Sequence, residues 1–93
     1  MEVQRFENVF DALADTPGEA ANMKARSELM SALAAKVNSW GVPQAAAAER
    51  LGITRPRLND LLRGKLGKFS IDALVNLTAV AGLVLEIRVR EAA

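Results

Sequence analysis

The segment formed by residues 44–65 constrains the fold most, because it predicts two short helices joined by a tight turn. The first helix is rich in alanine and is expected over residues 44–51. Gly52 permits the positive φ that a tight turn between helices requires. Thr54 is the expected N-cap of the second helix, residues 55–63. Apolar side chains of both helices and the turn are expected to form one seam: Ala47, Leu51, Ile53, Leu58 and Leu61.

Helical periodicity and capping signals extend to both sides of this segment. Apolar residues at i, i+3, i+4 and i+7 predict a first helix over residues 3–14. Thr16 and Glu19 are spaced as in a capping box and predict the start of a second helix that ends near Trp40. Ser70 is the expected N-cap of a fifth helix. The apolar faces of these three helices are expected to contain Phe6, Val9, Phe10 and Leu13; Met23, Met30, Leu33, Val37 and Trp40; and Ile71, Leu74, Leu77, Thr78 and Ala81.

The hydrophobic period changes from helical to alternating after Gly82, which predicts a strand over residues 83–90. Its apolar face would consist of Leu83, Leu85, Ile87 and Val89. A lone strand cannot satisfy its own backbone N–H and C=O groups, so we expect it to pair with the same strand of a second chain in a two-fold dimer. The alternative is a C-terminal tail that packs on a helix.

Composition excludes several kinds of chemistry. The 93 residues suit a single domain, and the chain contains no His, no Cys and no Tyr. Metal sites built on His or Cys, Cys nucleophiles, Ser-His-Asp triads and disulfides are therefore excluded within one chain. No apolar run resembles a signal peptide or a membrane span, so we expect a soluble cytoplasmic protein without a cofactor. An enzyme using Asp60 with Asp72 or Glu49 is disfavoured, because arginines surround Asp60 in the sequence.

The formal net charge of +1 hides two segments of opposite sign. Residues 50–68 contain six basic side chains and one acidic side chain, whereas residues 1–28 contain six acidic and three basic ones. The first segment suits a polyanionic partner, and the second suits a basic partner or is only a solvated face.

The spacing within residues 44–65 resembles the helix-turn-helix of lambda-repressor-like XRE regulators. The matching positions are Gln44, Ala48, Gly52, Ile53, Leu58 and Leu61. Pro43 stands where a capping Thr is common and Arg55 where Gln is common, so the local cap and the base preference depart from the pattern. The sequences at 6–33, 69–77 and 81–89 are similar to a subfamily that includes HigA-like antitoxins, which are encoded beside a RelE/HigB-type toxin.

This resemblance implies an all-α, lambda-repressor-like domain that spans residues 1–93. It implies five helices, with a helical lead-in over residues 1–26, the helix-turn-helix at 44–63 and a dimerisation strand at 83–90. It also implies that the second helix of the motif enters the major groove of double-stranded DNA.

The first turn of that helix would read base edges. Arg55 is the leading candidate, because its guanidinium group can donate two hydrogen bonds to guanine. Asn59 suits adenine, and Pro56 is placed for a thymine methyl group. Arg57 could take a base or a phosphate. Asp60 could accept from cytosine, although Asn59 and Asp60 could equally be solvated or paired with arginines.

Backbone contacts would come from side chains around the same helix. Gln44 and Thr54 lie at helix N-termini, where backbone N–H groups favour an anion. Arg63, Lys65 and Lys68 would contact the phosphates beside the groove, although the two lysines could also simply decorate a loop.

Two functions follow as hypotheses. The first is a sequence-specific transcriptional repressor that acts as a homodimer on a two-fold operator. The second is an antitoxin that binds and neutralises a small basic toxin while it regulates its own operon, and the two roles are compatible.

Overall fold

The computed structural model describes residues 15–92, which form four α-helices and one short 3-10 helix. The helices are α1 (Pro17–Ser39), α2 (Gln44–Leu51), α3 (Arg55–Leu62), the 3-10 helix (Leu66–Lys68) and α4 (Ile71–Val80). The helix predicted over residues 3–14 lies outside the described residues. No helix of the described part is long and apolar enough to cross a membrane.

Three of the α-helices begin at hydroxyl caps, as the sequence predicts. The side chains of Thr16, Thr54 and Ser70 accept hydrogen bonds from the backbone N–H groups three residues ahead, at 3.1, 3.2 and 3.1 Å. The Glu19 carboxylate accepts from the N–H of Asp15, at 2.8 Å, rather than from the cap residue itself. α2 differs, because its N-cap Pro43 offers no side-chain acceptor.

The turn between α2 and α3 depends on Gly52, which has a φ of +73°. The N–H of Gly52 donates to the carbonyl of Glu49 at 3.1 Å, and the N–H of Ile53 donates to the carbonyl of Ala48 at 3.0 Å. These bonds satisfy carbonyls at the end of α2 and set the direction in which the chain enters α3.

The core lies between α1, α3 and α4, with α2 packed against α3 and α4. Leu33, Leu58, Leu61 and Leu74 are its largest fully buried side chains. The apolar faces predicted for the four described α-helices are confirmed in their central positions, whereas Met23, Ile53 and Ile71 are only half-buried. Trp40 packs against the core as predicted, and the Arg50 guanidinium lies over its ring, 4.5 Å from the centroid.

The segment after α3, residues 65–69, is not an irregular loop. It contains the 3-10 helix and ends at Phe69, which is buried in the core cluster. Sequence analysis did not place Phe69 in the core, because one aromatic residue in a polar loop has no periodic signal.

The C-terminal segment does not form the predicted strand within the chain. Leu83 packs against the core, and its N–H donates to the carbonyl of Thr78 at 2.9 Å. Beyond it Val84, Ile87 and Val89 are largely exposed, and residues 83–92 have no regular secondary structure. The physical reason is that no strand among the described residues offers this segment backbone hydrogen bonds.

Candidate nucleic-acid interface

Burial of one face of α3 fixes which side chains its other face presents. Leu58 and Leu61 are buried in the core, which sets the rotation of the helix about its axis. Arg55 and Asn59 are one turn apart, as are Asn59 and Arg63, so these three share a side of the helix. Arg55 and Arg63 are exposed, and Asn59 is half-buried.

An open depression joins this face of α3 to the beginning of α2. It has a volume of about 510 Å³ and is lined by Gln44, Arg55, Pro56, Asn59 and Asp60. All five are residues that the sequence predicts to contact DNA. The fold therefore places the first residue of α2 beside the first turns of α3.

Arg57 lies apart from the depression, although it is only two residues from Arg55. Its Nη1 atom donates to the carbonyl of Lys68 at 3.1 Å, and its Cζ atom lies 4.2 Å from the centroid of the Phe69 ring. These contacts bind the Arg57 guanidinium group to the segment that follows α3.

Asp60 is paired with a lysine. Its Oδ1 atom is 3.4 Å from Lys65 Nζ, and its backbone carbonyl accepts from the Lys65 N–H at 3.1 Å. The structure thus favours the paired alternative for Asp60, with a lysine in place of an arginine. Such an exposed ion pair contributes little to stability, about 0–1 kcal/mol.

The predicted backbone contacts lie at the ends of the two motif helices and in the segment after α3. The Oγ1 atom of Thr54 accepts the hydrogen bond that caps the N-terminus of α3, and Arg63 is the C-cap residue of the same helix. Gln44 is the first residue of α2, whose first-turn N–H groups receive no side-chain cap. Lys68 is exposed at the end of the 3-10 helix.

Arg26 is a basic residue near this region that the sequence analysis missed. It projects from α1, and its Nη1 atom donates to the carbonyls of Leu66, at 2.6 Å, and Phe69, at 3.4 Å. Its Nε atom donates to Asn22 Oδ1 at 2.6 Å. A signal was present, because Arg26 falls between Met23 and Met30 on the predicted apolar face of α1. A cation on an apolar face implies an interior partner.

The pairing of α2 with α3, the glycine turn between them and the basic exposed face of α3 define a helix-turn-helix. The family model described as a helix-turn-helix domain matches residues 12–90, and the chain belongs to this family. Membership indicates a DNA-binding regulator. A search of curated proteins finds no significant match.

Proposed function

We propose that the protein is a sequence-specific, XRE-like transcriptional repressor that acts as a homodimer on a two-fold DNA operator. The observation that carries this proposal is the depression in which Gln44 of α2 meets Arg55, Pro56 and Asn59 of α3. The depression therefore brings a residue suited to contact phosphates, Gln44, next to three residues suited to contact base edges. The proposal assigns the protein binding and no catalysis.

In this proposal, the side chains on the exposed face of α3 contact the base edges directly. Arg55 is exposed and its side chain forms no hydrogen bond or ion pair with the described residues, so its guanidinium group is available to guanine. Asn59, one turn further on, suits an adenine on the same side of the helix. Pro56 lines the same depression, and its ring offers an apolar contact to a thymine methyl group.

The phosphate backbone would be held from both ends of the motif. Gln44 and the uncapped N–H groups of α2 favour one phosphate, and Thr54 favours another. Arg63, Lys65 and Lys68 extend the positive surface past the end of α3. This sequence-independent attraction supplies much of the affinity and makes it sensitive to salt.

The exposed C-terminal segment supports the dimer. Val84, Ile87 and Val89 are 86%, 75% and 90% exposed, so the other described residues leave this apolar surface uncovered. Pairing residues 83–90 with the same segment of a second copy would satisfy the backbone and cover Leu83, Leu85, Ile87 and Val89. An isologous contact of this kind has two-fold symmetry.

The proposal is tested by equilibrium binding to the DNA upstream of the protein's own gene and to a scrambled duplex of equal length. We expect the upstream duplex to bind at least about 1,000-fold more tightly at physiological salt, as specific regulators do. Equal affinity for both duplexes would rule out the sequence-specific function. A duplex carrying a single half-site is the control for dimeric binding.

An antitoxin role is the second candidate, favoured by the acidic excess within residues 1–28. Such a segment suits a small basic protein, and the DNA-binding face on α3 would stay free for autoregulation. The test is co-expression with the product of the neighbouring reading frame. Rescue of growth and co-purification of the two proteins would support this role. If the neighbouring product is toxic and the protein neither rescues growth nor co-purifies with it, the role is excluded.

A further inference from the structure

We propose that Arg26 and Arg57 are positioning residues that hold residues 65–69 so that Lys68 reaches the DNA backbone. Neither arginine need touch DNA in this role. The inference rests on the proposed DNA-binding function and deepens it, because it separates the basic residues that contact DNA from those that place them.

The two arginines project from different helices and donate hydrogen bonds to the same short segment, residues 65–69. Arg26 of α1 donates to the carbonyls of Leu66 and Phe69, at 2.6 and 3.4 Å. Arg57 of α3 donates to the carbonyl of Lys68, at 3.1 Å. The bonds therefore fall on Lys68 itself, on its neighbour Phe69 and on Leu66 at the start of the 3-10 helix. We call Arg26 and Arg57 the arginine clamp.

Apart from these bonds, the segment is held by local backbone bonds, such as the Lys68 N–H to the Lys65 carbonyl at 3.0 Å, and by the packing of Leu66 against the core. It follows Gly64, which has a φ of +70°, and contains Gly67, and glycine loses more conformational freedom than other residues when the backbone is ordered. The 3-10 helix is only three residues long. Phe69 is the buried anchor, and Arg57 stacks on its ring at 4.2 Å. Charge-assisted hydrogen bonds to the carbonyls fix the rest of the path.

The arginine clamp also reduces the negative potential that the segment presents to DNA phosphates. Carbonyl oxygens carry partial negative charge and would repel phosphates if they faced the DNA. Here three of them are turned toward guanidinium groups. Lys68 is exposed on a backbone that is already ordered, so its contact with phosphate costs less conformational entropy.

The test is a double-mutant cycle between Arg26→Gln and Lys68→Ala, measured as affinity for random-sequence DNA over a range of salt concentrations. Lys68→Ala alone is expected to lower affinity about tenfold at low salt and to reduce the salt slope by about 1. Arg26→Gln alone should also lower the affinity for random-sequence DNA. In the Lys68→Ala background it should cause no further loss beyond about twofold. Lys36→Gln, which removes a charge from the same helix, is the matched control and should leave affinity nearly unchanged.

A DNA-independent measurement accompanies the cycle. Hydrogen exchange at the backbone amides of residues 65–69 should become faster in Arg26→Gln, while exchange at Leu58 and Leu61 is unchanged. If Arg26→Gln fails to fold, Arg26→Lys is the second variant. It keeps the charge, but a single ammonium group cannot replace the planar fork, so the same pattern is expected.

Each outcome bears on the proposal. Additive losses in the cycle would overturn it, since they would mean that Arg26 acts independently of Lys68. Unchanged exchange at residues 65–69 would also overturn it. If the wild-type protein bound no DNA at low salt, the proposed function itself would fail. Normal wild-type binding with an additive cycle would reject the clamp alone.

Discussion

Arg55 and Arg57 show at the residue scale how position decides what a side chain can do. Both belong to the first turn of α3, and sequence analysis names both as candidates for DNA contact. Arg55 lines the open depression, whereas Arg57 is stacked on Phe69 and bonded to Lys68. The difference could not be read from the sequence, because these partners lie eleven and twelve residues away and meet Arg57 only after folding.

Arg55→Ala is expected to weaken binding to the preferred DNA by about 1–3 kcal/mol, because a bidentate contact to one base is lost. Arg55 is exposed, so thermal stability should stay unchanged. Titration of labelled specific and scrambled duplexes measures the effect, and Lys36→Ala is the charge-matched control. An equal loss on both duplexes would reassign Arg55 to the phosphate backbone.

Gly52 determines, at the element scale, how α2 and α3 are joined. We expect Gly52→Ala to lower the free energy of unfolding by about 1–2 kcal/mol, the cost of a left-handed backbone for a residue with a Cβ atom. No other group lies within 4 Å of the added Cβ atom, so the cost comes from the backbone alone.

Urea unfolding measures this effect, and Gly67→Ala is the matched control. Gly67 has no positive φ and also has open space around its Cβ position, so that variant should be neutral or slightly more stable. Equal stability of Gly52→Ala and the wild type would contradict the account of the turn.

The N-caps of α3 and α4 form a second matched pair. Thr54→Ala and Ser70→Ala each remove one side-chain cap bond, so each should lower the free energy of unfolding by about 1 kcal/mol. Only Thr54→Ala should also weaken DNA binding, because Thr54 directly precedes Arg55, which lines the depression. Thermal unfolding and DNA titration of both variants test this. Equal DNA affinities would remove Thr54 from the interface.

Elements with strong local signals are predicted well from this sequence. The predicted bounds of the first motif helix coincide with α2, because Pro43 and Gly52 delimit it. The second was predicted to residue 63, but α3 ends at Leu62 with Arg63 as its cap. The 3-10 helix and the burial of Phe69 were missed, since both result from packing against α1 and α3.

The C-terminal segment bears on the whole molecule, because residues 83–92 have no regular secondary structure and expose apolar side chains. Its alternating pattern is real, but alternation specifies a strand only where a second strand supplies hydrogen bonds. The strand predicted over residues 83–90 is therefore absent from the single chain, where no described segment pairs with it.

Ile87→Glu is expected to convert the proposed dimer to a monomer, because it places a charge within the apolar face of the paired segments. Light scattering during size-exclusion chromatography measures the mass. Arg88→Gln, which changes the net charge by the same amount on the opposite face, should remain dimeric. A monomeric wild type, or a dimeric Ile87→Glu variant, would contradict this assembly.

Sequence-specific recognition by the depression between α2 and α3 is the central claim, and selection from a random pool of duplex DNA tests it most directly. We expect the wild-type protein to enrich an inverted repeat whose half-site centres are one helical turn apart, about 10–10.5 base pairs, or a multiple of it. Arg55→Ala should lose the preference at one position of each half-site. Recovery of DNA with no enriched sequence would contradict the claim.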